Sequence, residues 1–166
     1  MAKLSAVRTT PEAVKTGLAD KVRAETAKSL ATVLGDTYLL MVKSHVYHWN
    51  VVGPQFLPLH ELLEIHYRDL FQAADIIAER IRGLGHVAPL SFEALEKTTD
   101  IAEETRRRGA GEMVEQLVTD HEQIARTIRD ITAKAADVED FVTHDILNAR
   151  LAFHEKAIWM LRAMQA

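Results

Sequence analysis

The strongest constraint on this chain is a repeat of apolar residues at spacings of three and four, interrupted only at glycine and proline. That period lines side chains along one face of an α-helix. It recurs in four long segments. The first covers residues 18–47, with Leu30, Val33, Leu34, Thr37, Met41 and Val42 near one stripe. Gly53–Pro54 then breaks the chain, and Pro58 fits only the first turn of the helix that follows, where its missing N–H removes no bond. This second helix is expected over residues 56–82, stopping at Gly83–Leu84–Gly85. Residues 91–98, SFEALEKT, read as a short helix with Ser91 at its N-cap. The third long helix starts after Gly109–Ala110–Gly111 and carries Met113, Leu117, His121, Ile124, Ile128, Ile131 and Ala135 on one stripe. The fourth covers residues 139–163. Strand-like alternation is absent from the sequence.

Four amphipathic helices of similar length, with one long connection between the second and third, predict a four-helix bundle. A long connection lets the two middle helices run parallel, which is the ferritin-like arrangement. The expected fold is therefore all-α: a ferritin-like four-helix bundle over residues 18–166, with a short extra helix in the connection between helices 2 and 3. Residues 1–17 are read as an N-terminal tail.

Composition narrows the chemistry. A chain of 166 residues, 48% hydrophobic, can bury one sizeable core. It has no cysteine, which excludes disulfides, thiolate metal ligands and a thiol nucleophile. No apolar run approaches the roughly 18 residues of a membrane span, and the N-terminus lacks the apolar core of a signal peptide. The expected location is cytoplasmic, with no membrane partner. A net charge of −4 excludes a uniformly basic nucleic-acid-binding surface. The tail differs: Lys3, Arg8 and Lys15 against Glu12 leave it with a net positive charge. It is either an ordinary chain terminus or a short basic arm able to touch DNA.

The run HVYHWNVVGPQFLPLHELLE, residues 45–64, concentrates His45, His48 and His60 with Trp49 and two prolines around the first break. Either this is a helix–helix corner with incidental polar residues, or it ligates something. On the second helix, at about 100° per residue and with His60 at zero, Glu64 falls near 40°, Asp75 near 60° and Glu79 near 100°. All four share one side. With a rise of about 1.5 Å per residue, however, His60 and Asp75 stand roughly 22 Å apart, too far to hold one ion from a single helix. Two copies of that helix, antiparallel about a two-fold axis near residues 69–70, would bring His60 and Glu64 of one chain against Asp75 and Glu79 of the other. His48, beside the corner, would supply a further ligand. Imidazoles with carboxylates suit a divalent first-row metal such as Fe(II). The competing reading is a solvated acidic face. No glutamate has histidine three residues later, so the Glu-x-x-His pattern of intra-bundle di-iron sites is absent.

The run HWNVVGPQFLPLHELLE (residues 48–64), followed by DIIAERIR (residues 75–82), resembles the Dps family, the DNA-binding proteins from starved cells or mini-ferritins. HEKAIWMLR (residues 154–162) is similar to that family's last helix, and the resemblance extends from about residue 25 to the end of the chain. It implies an iron-storing ferroxidase in which His48, His60 and Glu64 of one subunit and Asp75 and Glu79 of its two-fold mate bind Fe(II)/Fe(III). Many members carry Asp where this chain has Glu64. Trp49 matches the family tryptophan beside the site, as an electron donor that intercepts radicals or as a corner-packing aromatic. The resemblance further implies a hollow homo-dodecamer, hydrogen peroxide (or dioxygen) as oxidant, a ferric mineral stored inside, and DNA protected from oxidative damage. Asp137, Glu139, Asp140 and Asp145 are the candidates for an acidic entry pore; the alternative for them is stabilisation of a helix N-terminus. The rival function is a non-specific DNA-binding, nucleoid-compacting protein, with twelve weak tails acting by avidity. Of the remaining histidines, His45 is expected to pack beside the site and His121 to be a satisfied core residue. His66, His86, His144 and His154 have no partner assignable from sequence.

Overall fold

The computed structural model describes residues 14–165, so most of the expected tail, residues 1–13, lies outside the described residues. Among the described residues every regular element is a helix: α1 Asp20–Asn50, α2 Phe56–Gly83, α3 Phe92–Glu96, α4 Ala110–Asp137 and α5 Phe141–Ala163. The expected fold class holds, with α3 as the short helix in the crossover. Its Ser91 hydroxyl accepts from the Ala94 amide, as an N-cap should.

α1 packs chiefly on α2, and α4 on α5. Each pair is a hairpin with a short turn. Gly53, at φ +94°, makes the first turn, where an L side chain would be strained. The crossover runs the length of α1, and hydrogen bonds mark its course. Arg23 near the start of α1 donates to the Leu84 carbonyl. Asp36 at mid-helix accepts from the Thr99 hydroxyl and the Asp100 amide. Lys43 donates to the Ala102 carbonyl. α4 therefore begins at the end of the bundle where α1 finishes and α2 begins, so α2 and α4 run parallel, as the long connection requires. Gly35 of α1 admits α3: a Cβ there would lie 2.8 Å from the Leu95 carbonyl oxygen.

The core is Leu30, Val33, Leu34 and Leu40 of α1, Leu59, Leu63, Leu70, Ile77 and Ile81 of α2, Leu117, Ile124 and Ile128 of α4, and Leu147 and Leu161 of α5. The α4 stripe is buried as expected along its whole length. Several boundaries differ from the reading of the sequence; α4, for one, starts at Ala110 with Gly109 as its N-cap, rather than after Gly111. α1 continues through His48, Trp49 and Asn50: the Val51 backbone amide donates to the Tyr47 carbonyl, and the Asn50 side chain donates through Nδ2 to the Val46 carbonyl. Val42, expected in the core stripe, points outward at 43% exposure. With Val46 and Trp49, four and seven residues on, it forms an external apolar ridge. α5 starts at Phe141 rather than Glu139, which adopts φ +57° outside the helix.

Candidate metal centre

The α1–α2 turn brings His48, in the last turn of α1, against His60, in the first turns of α2. Their rings stack at 3.7 Å between centroids, inclined by 16°. The His48 Nδ1 lies 2.8 Å from the His60 carbonyl oxygen, and the His60 Nδ1 lies 2.8 Å from the His48 carbonyl oxygen. A carbonyl only accepts, so both Nδ1 atoms carry the proton and donate. Both rings are thereby held in the tautomer with a free lone pair on Nε2, the form in which imidazole ligates a metal. Backbone carbonyls commonly orient metal-binding histidines in this manner. The corner, by folding back on itself, prepares two nitrogen ligands side by side.

Aromatic residues wall the pair. Tyr67 meets His48 edge-on at 5.3 Å, and Phe56 lies 5.1 Å from His60. His45 stacks on Tyr67 at 4.1 Å and touches Trp49 at 4.2 Å. His45 is thus a packing residue beside the site, as expected, and burial followed by the neighbouring His48 pushes its imidazole below the ordinary range. Trp49 is 62% exposed, so it touches the corner through His45 and presents most of its ring outward. Tyr67 was not singled out from sequence. Its spacing of seven from His60 was the available signal, since it returns a helical residue to the same side after two turns.

The carboxylates divide as the helical geometry requires. Glu64 lies one turn beyond His60, half-buried, and is paired with Arg68 one turn further on. Asp75 and Glu79 are exposed, farther along the same face. With His60 at zero, the buried Leu70 and Ile77 fall at about 280° and 260°, so the carboxylates are turned away from the core and His60 lies at the edge of that face. Among the described residues, no three of His, Asp and Glu converge within one chain as a metal-holding group. The structure joins His48 to His60, and leaves Asp75 and Glu79 apart from them. The same two helices carry exposed Val42, Val46 and Trp49 on α1 and Leu57, Ile65, Phe71 and Ile76 on α2, large apolar side chains of the kind that mark a protein-contact surface when they are contiguous.

Asp140, expected among pore-lining carboxylates, is instead buried and structural. Its carboxylate accepts from the Thr143 amide and hydroxyl and receives Arg80 at 2.6 Å. Burial opposes its ionisation, but the Thr143 bonds and Arg80 outweigh it and hold the carboxyl below its usual range. The helix-terminus account therefore applies to Asp140, whereas Asp137, Glu139 and Asp145 are exposed. His121 is buried as expected but only half satisfied: Nδ1 meets the Nδ1 of His154 at 2.9 Å, and Nε2 has no partner.

Comparison with known proteins places this geometry in a family. Residues 27–166 match the ferritin-like domain. The chain is 41% identical over 152 residues to a low temperature-induced protein of Nostoc sp. strain PCC 7120, covering 90% of this chain and 85% of that protein. It is 35% identical over 125 residues to the DNA protection during starvation protein of Brevibacillus brevis, covering 75% and 84% respectively. Among solved structures, a Dps protein from Vibrio cholerae O1, described as one of a broad superfamily of ferritin-like diiron-carboxylate proteins, superposes with a TM-score of 0.88. That match has 28% identity and covers 95% of this chain and 99% of that one. The chain belongs to the Dps family of ferritin-like proteins.

Proposed function

We propose that the protein is an iron-storing ferroxidase whose metal site is completed by two chains. The observation that carries this reading is the reciprocal hydrogen-bonding of His48 and His60, which frees both Nε2 atoms beside Glu64 on a face turned away from the core. His48, His60 and Glu64 bind ferrous iron from one chain; Asp75 and Glu79 bind it from a two-fold mate. The antiparallel pairing of two α2 helices makes two such sites, about 22 Å apart. The exposed apolar residues flanking the ligands fit a face that a second copy covers. Both the name of the Brevibacillus relative and the diiron-carboxylate description of the Vibrio protein support iron handling and DNA protection.

Iron is here the substrate. Two ferrous ions give one electron each to hydrogen peroxide, whose O–O bond breaks. With water, the products are two ferric oxyhydroxide units and four protons. Sharing the two electrons between adjacent ions avoids the one-electron cleavage that releases hydroxyl radical, and Trp49 intercepts any radical that escapes. Carboxylate ligands favour Fe(III) over Fe(II) and so favour the forward step. The assembly is a hollow cytoplasmic homo-dodecamer holding the mineral, built from the bundle of residues 18–166, with residues 1–17 as the tail of each chain. DNA contact through those tails is the second reading, suggested by the Brevibacillus relative's name. A gel shift that deletion of residues 1–17 leaves unchanged would count against it.

The site is tested by loading Fe(II) without oxygen, adding peroxide and following ferric absorbance. Asp75→Ala/Glu79→Ala and His48→Ala/His60→Ala should each lose most of the fast phase. Mixed particles from co-expression should regain part of it, because each mixed two-fold pair restores one complete ligand set. Unchanged rates in the first variant refute the ligand assignment. Absence of recovery in verified mixed particles refutes sharing.

A further inference from the structure

Three histidines that the proposed iron chemistry does not use meet in the middle of the bundle: His66 of α2, His121 of α4 and His154 of α5, each 3% exposed or less. Phe153 packs among all three. His121 and His154 touch through their Nδ1 atoms at 2.9 Å. That contact is a hydrogen bond only when one Nδ1 carries a proton and the other does not, so the two rings cannot both be charged while it is made. Both Nε2 atoms are buried without a partner. Leu117, Ile124 and Ala125 on α4, and Ala157 and Leu161 on α5, lie one or two turns away and are also buried. The charged groups facing the cluster are Arg150 and Lys156 of α5 and Asp69 of α2, and Asp69 is already engaged by Arg150 at 2.7 Å. No charged group of α1, and none elsewhere on α4, acts on the pair.

We infer that the His121–His154 pair makes the bundle a mild-acid-labile container, in which acidification opens the α4–α5 hairpin by protonating imidazoles that the folded core admits only in the neutral state. A proton added to either ring would place a positive charge at full burial, beside Arg150 and with no free carboxylate to receive it. Such a charge is disfavoured unless it is paired. The depressed proton affinities agree with this geometry. Burial, followed by Arg150 and His66, pushes His154 down to about 3, and burial followed by His154 drives His121 well below the ordinary range.

The sign of the effect is fixed by linkage. The folded pKa values lie below the unfolded value of about 6.5, so the open chain takes up protons first as pH falls. Each histidine then raises the unfolding constant about tenfold per pH unit below 6.5, and the pair about a hundredfold. Between pH 6.5 and 5.0 the accumulated change for the pair is on the order of a few hundredfold per chain, because the full slope is reached only well below 6.5. Ordinary carboxylates titrate lower, near pH 4, so this window isolates the histidines. The inference stands whether or not the chain stores iron.

The test compares the full-length protein with His121→Leu/His154→Met, measuring denaturant midpoints at intervals from pH 7.5 to 5.0 by far-UV circular dichroism, with light scattering to follow the particle. The native protein should lose stability steeply below pH 6.5. The double variant should lose about a hundredfold less per pH unit, and His154→Gln about tenfold less. If the double variant does not fold, the native protein decides alone, through the protons taken up on unfolding. Uptake of about one proton or fewer near pH 5.5, or equal pH slopes in the native protein and a folded variant, overturns the inference.

Discussion

Lys43→Met should be among the most destabilising single substitutions in this chain. Lys43 of α1 and Asp120 of α4 form an ion pair at 2.5 Å, with side chains only 3% and 4% exposed. Lys43 also donates to the Ala102 carbonyl at 2.8 Å, and Asp120 accepts from the Gln116 amide at 3.0 Å. With the ammonium gone, a buried carboxylate keeps a single neutral donor. Breaking a buried pair from one side costs about 3–5 kcal/mol, and the abandoned Ala102 carbonyl adds on the order of 1 kcal/mol. At about 2–4 °C per kcal/mol for a domain of this size, the melting temperature should fall by about 8–24 °C. Lys43→Met/Asp120→Leu removes both charges and leaves chiefly the Ala102 deficit, so it should recover most of the loss. Thermal melts at pH 7.5 and equal protomer concentration measure this, since assembly makes the midpoint concentration-dependent. If the double variant melts as low as the single, an unpaired buried charge is not the cause and the reasoning is refuted.

Gly35→Ala places a methyl group 2.6 Å from the Thr98 hydroxyl, 2.8 Å from the Leu95 carbonyl oxygen and 3.0 Å from the Thr99 amide. Two of those atoms are backbone, so α3 must shift. An overpacking cost of about 1–3 kcal/mol should outweigh the roughly 1 kcal/mol by which alanine favours the helix, and a raised melting temperature would contradict this. Asp140→Ala removes the α5 cap and strands Arg80, which should cost about 3–5 kcal/mol at neutral pH. The depressed pKa of Asp140 means its contribution is present above about pH 4 and lost as pH falls below that, so native and variant stabilities should converge in acid. A gap that persists undiminished at pH 2.5 would show that the carboxylate charge is not responsible.

Much of the fold was legible in the residues. The breaks at Gly53–Pro54 and Gly83–Leu84–Gly85 fall where α1 and α2 end, because glycine and proline act locally, through φ and a missing donor. The spacing of His60, Glu64, Asp75 and Glu79 on one side of α2 was likewise available, since a regular helix converts sequence separation directly into angle and rise. Spacing along the chain is thus enough to say which ligand-type side chains share a face, and that one straight helix cannot gather them.

How those side chains are held follows from contacts between helices, which spacing along one helix does not contain. The mutual Nδ1-to-carbonyl bonds of His48 and His60 depend on the path of the backbone through a five-residue corner, which periodicity does not encode. Asp140 reads from sequence like its acidic neighbours. It differs because Arg80, sixty residues away, reaches it across the bundle. His66, His121 and His154 sit on core stripes of three separate helices, and helical pattern alone gives no sign that they meet. Local spacing fixes the direction a side chain takes from its own helix. What it then touches, and hence whether it is charged, neutral or free to ligate, is set by the packing of helices far apart in the chain.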